Sequence, residues 1–236
     1  MCLLGVGAAL AAAAAALAGA SPVAVPFLVA TVLAYAGVSA VIVLTIEGRH
    51  PHPRFGAANL TTLMRLGIAA IFAGVVVEGL LDRSRISAGV AWTCAALLLV
   101  ALVLDGVDGL LARRQALASR FGARFDMEVD ALTILLLSIL AILLGKAGGW
   151  VALIGLMRYA FVAAALIRPA LAAPLPPSLR RKAVCVVQYA ALLVMLLPIA
   201  HPPATTAVAA VALAALAWSF AVDIGWLLRR GVRPAT

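Results

Sequence analysis

Four aspartates, arranged in two pairs, offer the clearest chemistry in this sequence. Asp105 and Asp108 are three residues apart, and Asp126 and Asp130 are four apart, so each pair shares one face if its segment is helical. Converging carboxylate oxygens are the ligands that Mg²⁺ and Mn²⁺ prefer in proteins. Two such ions can polarise a phosphoryl group and stabilise both its attacking and its leaving oxygen. The two pairs therefore predict a site for two divalent ions.

These aspartates lie in a chain that is otherwise very apolar. Of its 236 residues, 66% are hydrophobic and 11% are charged, and the mean hydropathy is +1.16. Soluble domains are about half apolar and a quarter charged. A charged aspartate within a membrane span costs about 3 kcal/mol, so the four carboxylates need cations nearby. Arg113 could pair with one or two of them, and divalent ions satisfy the whole group better.

Apolar segments of nearly spanning length recur along the whole chain and predict its fold class. They run over residues 3–19, 24–46, 59–81, 88–113, 122–145, 149–170, 183–199 and 204–228. A spanning segment must satisfy its own backbone polar groups, and no segment alternates apolar and polar residues as a barrel strand does. We therefore expect an all-α, polytopic integral membrane helical bundle. We expect its first segment to be retained rather than cleaved, because no basic residue precedes it.

The distribution of basic residues predicts the orientation of the bundle. If the N-terminus is cytoplasmic, the connections on the opposite side carry only Arg83, Arg85 and Lys146, while all other basic connections face the cytoplasm. The positive-inside rule favours this orientation, which puts the aspartates at the cytoplasmic edge of a membrane such as the bacterial inner membrane. The net charge of +9 comes in short clusters between apolar runs, which suit anionic headgroups rather than nucleic acid.

The residues around the aspartates also follow a fixed pattern, D-x-x-D-G-x-x-A-R, then eight residues, then G-x-x-x-D-x-x-x-D. Asp105, Asp108, Gly109, Ala112, Arg113, Gly122, Asp126 and Asp130 fill it completely. This pattern closely resembles the signature of the CDP-alcohol phosphotransferases, integral membrane enzymes of phospholipid biosynthesis. Asn59, Thr62 and Arg65 follow the N-x-x-T-x-x-R spacing of several phosphatidyltransferases in that family, although Ala58 replaces the usual preceding proline.

The resemblance implies a role for each of these residues. Asp105, Asp108 and Asp126 would bind two Mg²⁺ or Mn²⁺ ions, and Asp130 would be both a ligand and the general base toward the acceptor hydroxyl. Glu128 lies about 200° round the helix from its neighbouring aspartates, so it should face away from the metals. The implied donor-binding residues are Asn59, Thr62, Arg65, Gly109, Ala112, Arg113 and Gly122.

The resemblance also implies how the chain is organised. It predicts a six-helix core within a membrane domain at residues 59–236, and it makes a homodimer the expected assembly. Residues 1–58, which hold two further apolar segments and a linker rich in proline and histidine, are an addition outside the resemblance.

Basic residues later in the chain bear on the acceptor. Arg158 lies in the middle of an apolar segment, where a charged residue is a functional candidate by default. Together with Arg181 and Lys182 it could form a basic pocket for a phosphate-bearing acceptor, such as glycerol 3-phosphate or inositol phosphate. Membrane anchoring explains Arg181 equally well.

Three functions remain open at this point. In the first, a phosphatidyl group passes from CDP-diacylglycerol to an alcohol and CMP is released. In the second, a soluble CDP-alcohol donates its phospho-alcohol to a diacylglycerol-type lipid at the same aspartates. In the third, the acids bind the coupling cation of a transporter, which predicts broken helices or an internal repeat. The sequence shows neither of these two features, so a phosphotransferase is the preferred interpretation.

Overall fold

A computed structural model describes residues 24–46, 57–115 and 120–231, and these ranges form helices without any strand. The helices are α1 (Ala24–Ile46), α2 (Ala57–Leu81), α3 (Ala88–Gln115), α4 (Arg120–Leu143), α5 (Ala152–Ile167), α6 (Leu179–Leu196) and α7 (Ala204–Gly231). Short 3₁₀ turns lie at Arg83–Arg85, Gly149–Val151 and Pro169–Ala172. The predicted all-α fold is confirmed for the described part of the chain, in which six helices follow the linker.

Four stretches among the described residues are long and apolar enough to cross a membrane. They are Thr61–Leu81, Ala88–Gly106, Gly149–Ile167 and Ala204–Arg229, and α1 holds a shorter apolar stretch, Val25–Ala40. These four helices confirm a helical membrane bundle. The predicted number of spans and the domain boundary at residue 58 stay predictions, and the apolar segment 3–19 lies outside the described residues.

The chain divides into two compact units, one ending at Leu136 and the other starting at Leu137. In the first unit, α2 packs against both α1 and α3. Leu63, Leu66 and Phe72 of α2 are completely buried, whereas most of the spanning part of α3 is not. Helix α2 is therefore the central helix of this unit.

Close packing of α1 on α2 depends on Gly74. A Cβ atom at this position would lie 2.7 Å from the Phe27 ring and would also clash with the Thr31 hydroxyl. We expect Gly74→Ala to lower the free energy of unfolding by about 1–3 kcal/mol, because overpacking forces the helices apart. The thermal unfolding midpoint in detergent measures this loss. Gly37→Ala is the matched control, since a Cβ at Gly37 meets nothing within 4 Å, and equal midpoints for the two variants would contradict the prediction.

In the second unit, α7 packs against α5 and α6. Phe161 of α5 and Phe220 of α7 meet edge to face with ring centroids 5.6 Å apart. The buried Gln188 of α6 donates a hydrogen bond of 2.8 Å to the carbonyl oxygen of Ala212 in α7. An aromatic contact therefore joins α5 to α7, and a buried hydrogen bond joins α6 to α7.

Helix α4 ends in a glycine turn that positions Lys146. Gly145 has a φ of +67°, and the amides of Gly145 and Lys146 donate to the carbonyls of Ile142 and Ala141, both at 3.0 Å. This is the hydrogen-bonding pattern of a Schellman motif, in which glycine is the favoured residue because it tolerates positive φ. The chain therefore turns sharply at the end of α4.

The side chain of Lys146 then reaches the connection between α6 and α7. Lys146 is 6% exposed, and its ammonium group donates to the carbonyl oxygens of Leu197 at 3.0 Å and Ala200 at 2.6 Å. The carbonyl oxygen of Lys146 accepts a bond of 2.5 Å from the Thr205 hydroxyl at the start of α7. One residue thus joins the α4–α5 connection to the α6–α7 connection.

Candidate functional site

Three of the predicted metal ligands converge in the first unit. Asp105 comes from α3, and Asp126 and Asp130 come from successive turns of α4. One carboxylate oxygen from each lies within 4.8 Å of the other two. The side chains of Asp105, Asp126 and Asp130 are 49%, 40% and 23% exposed, so the three carboxylates are partly accessible to ligands.

The guanidinium group of Arg65, on α2, binds all three carboxylates. Its Nη1 donates to Asp105 at 2.8 Å and to Asp126 at 2.6 Å, and its Nη2 donates to Asp130. Arg65 itself is only 4% exposed. We call Arg65, Asp105, Asp126 and Asp130 the aspartate–arginine cluster, in which a buried cation from the central helix meets three partly exposed anions.

The cluster fits a divalent metal ion by charge and by ligand chemistry. If all three carboxylates are ionised, they carry three negative charges, against the single positive charge of Arg65 that contacts them. Carboxylate oxygens are hard ligands that suit Mg²⁺ and Mn²⁺, whereas structural zinc sites favour cysteine and histidine. A group of three aspartates in this arrangement could hold such an ion.

Other residues predicted for the donor and metal site lie on the same three helices. Thr62 is buried on α2, one turn before Arg65, and Gly122 is on α4, one turn before Asp126. Asp108 is on α3, one turn after Asp105. The structure does not describe the side-chain contacts of five predicted residues: Asn59, Asp108, Gly109, Ala112 and Arg113. Metal binding by Asp108 and donor binding by all these residues stay predictions.

The predicted acceptor residues lie in the second unit. Arg158 is half-buried in α5, and Lys182 is exposed near the start of α6. Arg181 donates to the carbonyl oxygen of Pro176, and its Nη1 lies 3.5 Å from a carboxylate oxygen of Asp223 on α7. The acceptor role of the three basic residues stays a prediction.

Asp223 also binds Arg180, the residue before Arg181. Nη2 of Arg180 lies 2.5 Å from Asp223, and its Nη1 donates to the carbonyl and hydroxyl oxygens of Ser219 at 2.5 and 2.6 Å. The guanidinium carbon is also 5.6 Å from the centroid of the Trp218 ring. Through these contacts Arg180 joins the start of α6 to the later part of α7.

The contact of Arg65 with the aspartates was not expected from the sequence, which offered Arg113 as their partner and assigned Arg65 to the donor. A signal for the contact was present. Arg65 is a lone cation in an apolar segment, and a charge at such a position needs an ionic partner. The aspartates were the main group of anions available to it.

Comparison with known proteins bears on the whole site. A family model described as CDP-alcohol phosphatidyltransferase matches residues 55–222, which is well over half of the chain. No match was found among curated proteins or among solved structures. The matched range includes the entire aspartate–arginine cluster.

Proposed function

Because the chain belongs to the CDP-alcohol phosphatidyltransferase family, we propose that it transfers a phosphatidyl group from CDP-diacylglycerol to an alcohol and releases CMP. Enzymes of this family transfer a substituted phosphate group from a CDP-linked donor to an alcohol in phospholipid biosynthesis. The observation that carries the proposal is the convergence of Asp105, Asp126 and Asp130 within the part of the chain that matches the family.

The reaction is an attack by an alcohol on a phosphorus atom. Asp130 accepts the proton of the acceptor hydroxyl, the alcohol oxygen bonds to the β-phosphorus of the donor, and the bond from that phosphorus to the CMP oxygen breaks. Asp130 is the least exposed of the three carboxylates, which suits a base shielded from bulk water. Two divalent ions held by Asp105, Asp108, Asp126 and Asp130 would neutralise the charge of the leaving CMP.

The proposal extends to the surroundings of the site. Basic residues in the connections favour an active site on the cytoplasmic side of a bacterial inner membrane. The family resemblance favours a homodimer. Arg158, Arg181 and Lys182 are the proposed ligands of a phosphate-bearing acceptor, because guanidinium and ammonium groups bind phosphate strongly.

CMP release by the purified protein in detergent with Mn²⁺ tests the proposal. We expect CMP to form with CDP-diacylglycerol and one or more alcohols from a panel that includes polyol phosphates. Asp126→Asn should remove most of this activity, because the neutral amide lacks the negative charge that helps a carboxylate to bind the ion. Asp82→Asn is the matched control, since Asp82 is an exposed aspartate in the connection between α2 and α3.

Other results of the same assay would change the assignment. CMP formed only when CDP-choline or CDP-ethanolamine is supplied with diacylglycerol would show that the donor is the soluble substrate. Absence of CMP with every pair of donor and acceptor would contradict a phosphotransferase.

A further inference from the structure

Arg65 occupies the position of a cation among carboxylates that would bind metal. A single guanidinium contacts one oxygen of each of Asp105, Asp126 and Asp130, which lie 40, 61 and 65 residues away along the chain. Such charge-assisted hydrogen bonds are short and strong. They draw together three like charges on α3 and α4 that would otherwise repel one another. Arg65 therefore neutralises part of the charge of these carboxylates, as a metal ion would.

These same contacts oppose metal binding. The guanidinium occupies one oxygen of each of the three carboxylates, and its positive charge repels a divalent cation placed beside it. A metal ion that binds the three carboxylates must therefore weaken or replace at least some of their bonds to Arg65.

The burial of Arg65 determines the effect on this side chain when its guanidinium group loses contacts with the carboxylates. The Arg65 side chain is 5% exposed, against 49% for Asp105 and 40% for Asp126. A buried guanidinium that loses ion pairs is destabilised, so a further anion beside it would be stabilising. The planar fork of arginine matches the oxygens of phosphate as well as those of carboxylate, and a CDP-linked donor brings phosphates to this site.

We propose that Arg65 is the resident cation of the metal-free enzyme, competes with Mg²⁺ or Mn²⁺ for the three carboxylates, and binds a phosphate of the nucleotide donor once it is displaced. The part of this inference that concerns the donor rests on the proposed function. Metal loading then converts Arg65 from a partner of aspartates into a partner of phosphate. The donor consequently meets an Arg65 side chain released from these carboxylates only at a site that already holds metal.

Binding of Mn²⁺ without any substrate tests the competition directly. The free ion can be followed by electron paramagnetic resonance during titration of the detergent-purified protein. We expect Arg65→Gln to bind Mn²⁺ more tightly than the wild type by about tenfold or more, because one neighbouring positive charge is gone. Arg83→Gln is the matched control: Arg83 is exposed in the turn just after the other end of α2, and this variant should bind like the wild type.

Stability and nucleotide binding give further readouts. In EDTA we expect Arg65→Gln to unfold at a lower temperature than the wild type. Saturating Mn²⁺ should raise the unfolding midpoint of Arg65→Gln by more than it raises that of the wild type. With Mn²⁺ bound, its affinity for CMP should be weaker than that of the wild type, because the phosphate has lost its guanidinium. Arg65→Lys keeps the positive charge but lacks the planar guanidinium group, so its affinities for Mn²⁺ and CMP should lie between those of Arg65→Gln and the wild type. It replaces Arg65→Gln in these measurements if that variant does not fold.

The outcomes separate this inference from the proposed function. Unchanged or weaker Mn²⁺ binding by Arg65→Gln would overturn the competition and leave Arg65 as a purely structural ion pair. CMP affinity equal to that of the wild type would overturn the transfer of Arg65 to phosphate. Wild-type protein that binds Mn²⁺ but releases no CMP would contradict the proposed reaction alone, and wild-type protein that binds no Mn²⁺ would overturn both.

Discussion

Replacing Asp130 with Asn is expected to lower the turnover number for CMP release by at least about a hundredfold, because an amide cannot accept the proton of the acceptor hydroxyl. Asp130 is suited to this role by position as well as by type. It lies on α4 one turn after Asp126, and only 23% of its side chain is exposed. The measurement is the turnover number at saturating Mn²⁺ with CDP-diacylglycerol and the preferred alcohol.

Glu128→Gln provides the matched control for this substitution. Glu128 lies two residues before Asp130 on the same helix and is exposed, and the change is again from carboxylate to amide. We expect its turnover number to stay close to that of the wild type. The affinity for CMP distinguishes the role of Asp130 as a base from its role as a metal ligand, because CMP can bind without a base. Wild-type turnover in Asp130→Asn would rule out Asp130 as the base.

Replacing Lys146 with Met is expected to lower the free energy of unfolding by about 2–3 kcal/mol, because partly buried carbonyl oxygens lose a charged donor. Methionine has a similar length but no donor, so the carbonyls of Leu197 and Ala200 would be left without the ammonium group. Burial lowers the pKa of Lys146, which shows that holding the charge here has a cost. The carbonyl contacts offset that cost.

Thermal unfolding in detergent measures the effect of this change. Lys182→Met is the control for stability, because Lys182 is exposed and its replacement removes the same charge without opening a buried site. Equal unfolding midpoints for the two variants would contradict a structural role for Lys146.

Much of the fold follows from simple properties of the sequence. An uninterrupted apolar segment in lipid must form its backbone hydrogen bonds within itself, and a helix does so. The segments predicted at 88–113 and 122–145 accordingly appear as α3 and α4 with similar bounds. The spacing of Asp126 and Asp130 predicted a shared face, and the structure places both carboxylates beside Asp105.

The partners of the charged residues were harder to predict. The sequence shows that buried acids need cations, but it does not show which arginine is near them, because the contact of Arg65 with Asp130 spans 65 residues. The partners of Lys146 are backbone carbonyls, which every residue carries, so no side-chain pattern marks them. Such contacts are fixed by how the helices pack rather than by local sequence.

The polar contacts between α6 and α7 have a consequence for how these helices can move. Two smooth apolar helices in lipid can slide along each other, since one turn of alanine and valine resembles the next. Here Arg180 binds Asp223 near one end, Gln188 binds Ala212 in the middle, and Lys146 holds the other end beside Thr205. Sliding of α6 along α7 by a single turn would break the contacts of Arg180 and Gln188 together. The contacts therefore fix a single register between the two helices of this hairpin.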